Sequence, residues 1–127
     1  MTLPDDREAR LRRYRHALRN EADRLTKYPG RDSLYVLFKK RPQEWLRTEL
    51  AEYSLGEIIR LLHKYVEAGG ELDEVKETRE GYTHHEFHYD MRVTIGGRPI
   101  YFETALSCED AEDPDGFTIV VVNAKDV

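Results

Sequence analysis

Leu11, Tyr14, Leu18, Ala22 and Leu25 recur at spacings of three and four residues, the period of a single buried stripe on a helix. The pattern predicts a helix over residues 5–27, with Thr2 or Asp5 as its cap and Pro29-Gly30 as its stop. Residues 32–40 contain the run SLYVLF, which is apolar without a clean period; we read it as a short helix, with a strand as the alternative. Pro42 suits a first helical turn, and Trp45, Leu46 and Leu50 follow on one side. Ser54 and Glu57 have the spacing of a capping box, in which each side chain satisfies the other residue's backbone N–H. Ile58, Ile59, Leu61, Leu62, Tyr65 and Val66 make the helix that follows the most apolar in the chain, so it should pack across a sheet until Gly69-Gly70 ends it.

From here the period changes to two. Phe87, Tyr89, Met91, Val93 and Ile95 alternate with Glu86, His88, Asp90, Arg92 and Thr94, and Gly96-Gly97 supplies the two positive φ angles of a tight hairpin turn. That turn sets Val93 opposite Ile100, Met91 opposite Phe102, Tyr89 opposite Thr104 and Phe87 opposite Leu106. After an acidic loop over residues 108–116, FTIVVV is apolar on both sides and reads as a strand buried on both faces, next to residues 101–106. The expected fold is one α+β domain. Three or four helices over residues 1–70 cover one face of an antiparallel meander of three or four strands over residues 71–127.

Length agrees with this, since 127 residues suffice for one independent core. Runs such as 34–38 and 119–122 fall far short of the ~20 apolar residues of a membrane span, and the charged N-terminus lacks the apolar core of a secretory signal. The single cysteine, Cys108, excludes an internal disulfide and suits a reducing, cytoplasmic setting. The net charge of −5 conceals a division. Residues 1–47 hold 13 Lys/Arg against 7 Asp/Glu, a balance of +6, whereas residues 48–127 hold 7 against 18, a balance of −11. Arg10, Arg12, Arg13 and Arg19 make the first helix a candidate basic face for a polyanion; alternatively the two segments neutralise each other inside the fold.

The hairpin register also defines an opposite face carrying His84, Glu86, His88, Asp90 and Arg92 on one strand and Tyr101, Glu103 and Ala105 on the other. Asp90 stands across from Glu103, and two opposed carboxylates repel unless Arg92, a divalent metal or a retained proton compensates. His88, Asp90 and Glu103, with Glu86, are the residues a metal would use. The reading we adopt is a solvated polar face, with no metal and no cofactor. Glu109 and Asp110 beside Cys108 disfavour its thiolate, and DAEDPDG lacks the glycine and glutamate of a calcium loop.

DMRVTIGGRPIYFETAL, followed by a loop and TIVVVNAKD, resembles the C-terminal half of RelE- and MqsR-like toxin ribonucleases over about the last forty residues. The resemblance implies helices ahead of an antiparallel sheet and an RNA-cleaving face, with Arg92, Arg98, Tyr101 and His88 as candidate catalytic residues. Glu86, Asp90 and Glu103 depart from it, because a carboxylate-rich groove repels the phosphates it must bind. Three functions are therefore carried forward. The leading one is a small interaction or regulatory module with a protein partner or a second copy of itself. The others are a toxin-like ribonuclease and a nucleic-acid binder acting through the arginine-rich helix.

Overall fold

The computed structural model describes residues 3–81 and 85–127. Helix α1 (Arg7–Lys27) begins at Asp6, whose carboxylate accepts from Glu8 N–H, so the N-cap is Asp6 rather than Asp5; Thr2 lies outside the described residues. Its stripe of Leu11, Tyr14, Leu18, Ala22 and Leu25 is buried as the period predicts. Strand β1 (Val36–Phe38) follows, then α2 (Lys40–Glu49) and α3 (Leu55–Glu67). In α3 both halves of the capping box form, each at 3.1 Å, and Gly69 just beyond the helix has φ +86°. Strands β2 (Asp73–Lys76), β3 (Phe87–Ile95), β4 (Arg98–Cys108) and β5 (Phe117–Asp126) complete the chain.

The sheet has five strands in the order β1-β5-β4-β3-β2. It is mixed, because β1 runs parallel to β5 while the other pairings are antiparallel. Two expectations are corrected here: residues 32–40 supply a strand, not a helix, and the sheet is not a purely antiparallel meander of three or four strands. At β1 a fully buried carboxylate favours the extended form. Glu21 Oε1 accepts from the backbone N–H groups of Leu34, Tyr35 and Val36, the last at 3.3 Å, and holds the segment extended against β5. Those N–H groups would otherwise be left without partners at a sheet edge.

The Gly96-Gly97 turn has φ of 60° and 78°, and the pairings of Val93 with Ile100, Met91 with Phe102 and Tyr89 with Thr104 form as expected. That ladder ends at His88 and Ala105, and Phe87 is paired with Lys76 of β2 rather than with Leu106. All three helices contribute to a core on one face of the sheet, built on Tyr89, Met91, Val93, Ile100, Phe102, Leu106, Phe117, Ile119 and Val121. Strand β5 is fully buried on this face only; Thr118, Val120 and Val122 are half-buried, which corrects the expectation of full burial on both faces. No helix is long and apolar enough to cross a membrane among the described residues.

A banded sheet face as the candidate functional site

Because side chains alternate along every strand, the observed register fixes which residues line up across the face opposite the helices. This face is uncovered in the sense that no helix lies on it among the described residues, although Asp90, Glu103 and Ala105 there are buried. One row is apolar except at His88: Leu37 pairs with Val120, Val120 with Ala105, Ala105 with His88 and His88 with Val75. Its ends are open to solvent, with Leu37 46% and Val75 40% exposed. The next row is acidic, since Asn123 pairs with Glu103, Glu103 with Asp90 and Asp90 with Asp73. The third carries cations around an aromatic ring: Tyr101 pairs with Lys125 and Arg92, and both cations lie over its ring, at 5.4 and 5.5 Å. A bulge at Glu103/Thr104 skips Val122 in the β4–β5 ladder and moves this part of β5 by one residue.

Asp90 and Glu103 do stand opposite each other, but their surroundings correct the picture of a solvated face. They are only 8% and 4% exposed. Each carboxylate in the acidic row has a side-chain partner. His88 Nδ1 lies 2.8 Å from Asp90 Oδ1, Arg92 reaches Asp73 at 3.4 Å, and Arg79 grips Glu103 with two donors at 2.6 and 3.2 Å. Arg92 therefore does not compensate the Asp90–Glu103 pair. Arg79, in the segment after β2, does so and also binds Glu77, holding that carboxyl down to about 2. Burial, and then the negative charges of Asp90 and Glu103, push the Tyr101 phenol up. The strand pattern could not have found Arg79, because it sits in a charged stretch with no period.

The other candidates separate. Arg98 binds Asp126 and Glu49 and packs over Trp45, so the ribonuclease set of Arg92, Arg98, Tyr101 and His88 does not converge as a group. In the basic helix, Arg10 is buried and forms a double contact to Glu74 at 2.8 and 2.9 Å, Arg19 pairs with Glu67, and Arg13 lies over Phe117. Arg12 is exposed. The division of charge along the chain is thus partly cancelled within the fold, and the candidate polyanion face is reduced. At Cys108 burial and Asp110 both push the thiol pKa up. Glu86 is exposed, and His84 lies outside the described residues. No family model matches the chain, and no curated protein or solved structure matches it either.

Proposed function

We propose that the protein is an interaction module whose uncovered sheet face binds a segment of another protein. The observation that carries this reading is the row of Leu37, Val120, Ala105, His88 and Val75, which runs from one sheet edge to the other with exposed apolar ends. Ala105 in the middle of the row is already buried, so the free energy comes from the apolar surface that Leu37 and Val75, and in part Val120, still present to water and that a partner would remove. Exposed Lys39 follows two residues after Leu37, and Lys125 and Arg92 stand two rows away. The partner segment that fits combines apolar side chains with carboxylates, which complement those cations.

A random-peptide display selection against the intact chain tests this. Enrichment of peptides mixing apolar and acidic residues is expected, with binding lost in Val120→Asp and weakened in Lys125→Glu. Failure to enrich such peptides, undiminished binding by Val120→Asp, or self-association through this face would overturn the proposal.

A second reading, the toxin-like ribonuclease, draws on the 2.8 Å contact of His88 with Asp90 two rows from the Lys125–Tyr101–Arg92 group. An imidazole oriented by a carboxylate is a usable proton carrier. Expression in a bacterium separates the two readings: growth arrest relieved by Arg92→Ala or Tyr101→Phe supports cleavage, and unimpaired growth removes it.

A further inference from the structure

Beyond protein binding, we propose that His88, Asp90 and Glu103 form a site for a divalent first-row cation of the zinc or manganese type. One ligand atom from each of the three residues lies within 4.8 Å of the other two. Ligands around such an ion stand about 3.4 Å apart, so gathering them requires shifts near an ångström, within the reach of side-chain rotation. An imidazole with two carboxylates is a donor set these cations accept. The set differs in kind from the acidic loop at 109–116, which offers carboxylates alone and is exposed at Glu109, Asp110, Glu112, Asp113 and Asp115.

Burial and register support the assignment. Asp90 and Glu103 are directly paired across β3 and β4 and nearly removed from solvent, so their mutual repulsion is weakly screened and positive charge is drawn to them. Strands on either side hold the pair, so the two carboxylates reach the ion from a fixed backbone separation. Arg79 supplies the positive charge in this structure, through both oxygens of Glu103. A carboxylate offers about four lone-pair positions, of which the guanidinium takes two. Arg79 and a cation therefore compete electrostatically for one carboxylate without excluding each other by geometry.

The competition gives the test its sign. Metal-stripped protein would be titrated with Zn2+ by calorimetry, and with Mn2+ while amide line broadening is followed by NMR. Saturable binding is expected, with broadening centred on the amides of His88, Asp90 and Glu103. Arg79→Gln should tighten Zn2+ binding about tenfold by removing a like charge, a gain that a misfolded variant does not produce. His88→Gln should weaken binding by about tenfold or more, and Glu112→Gln in the acidic loop should leave it unchanged. Broadening centred on residues 109–116, no saturable binding up to about 1 mM, or weaker binding in Arg79→Gln would each overturn the proposal.

Discussion

The two faces of this sheet follow different rules. On the covered face Tyr89, Ile100, Phe102 and Phe117 are fully buried, and packing against the helices is mostly apolar, with Arg13 over Phe117 and the Arg10–Glu74 pair beside Tyr89 as the directed contacts. Polar atoms there are matched locally: Tyr14 Oη is 2.7 Å from Thr104 Oγ1, which donates to the Tyr89 carbonyl at 2.8 Å. On the uncovered face Asp90 and Glu103 are nearly as buried, yet their environment consists of a directed hydrogen bond between Asp90 and His88 and an ion pair of Glu103 with Arg79 from a separate segment. Hydrophobic burial depends on area and tolerates many partners. An ion pair depends on where one particular side chain arrives.

The largest test of this contrast is Phe102→Ala, which should cost about 3–5 kcal/mol in chemical denaturation because it opens a cavity in the covered face. A loss below about 1 kcal/mol would place the core elsewhere.

Next is Glu74→Ala. It leaves the Arg10 guanidinium buried without its carboxylate and removes the acceptor of Tyr89 Oη, at an expected cost of about 3 kcal/mol. Pairing it with Arg10→Met should recover much of that loss, and failure to recover would show that the site needs the charges themselves.

On the uncovered face the contrast is sharpened by acid. Arg79 holds the Glu77 carboxyl at about 2, below its ordinary value, so the associated stabilisation is complete above the unfolded pKa of about 4.3 and disappears as pH falls through the folded value. Urea midpoints measured from about pH 6 to about pH 2 should therefore fall more steeply in the native chain than in Arg79→Gln. Parallel profiles would remove Arg79 from the acid response.

The smallest expected effect is that of Leu37→Ser. At 46% exposure its stability change should stay within about 0.5 kcal/mol, while peptide binding to the face falls. A large stability loss would mean that the uncovered face helps to hold the fold.

Much of the architecture was legible in residue order. The stripe of α1, the Ser54–Glu57 box and the Gly96-Gly97 turn are local, since each depends on neighbours a few residues away. The opposition of Asp90 and Glu103 followed from that turn alone. Strand β1 was not legible, because a five-residue apolar run fits a helix or a strand until β5 and Glu21 are in place. Arg10 shows the same limit. Its position on a basic helix suggested a surface charge, and only the arrival of β2 with Glu74, 64 residues later, makes it an interior ion pair.

By itself the amino-acid sequence determined the three helical stripes, the hairpin register and the choice of the covered face, because period and turn chemistry act over short distances. Tertiary structure decided the parallel edge strand, the partial neutralisation of the basic helix and the partner of each buried carboxylate. These depend on contacts between residues far apart in the chain, whose geometry no local pattern encodes.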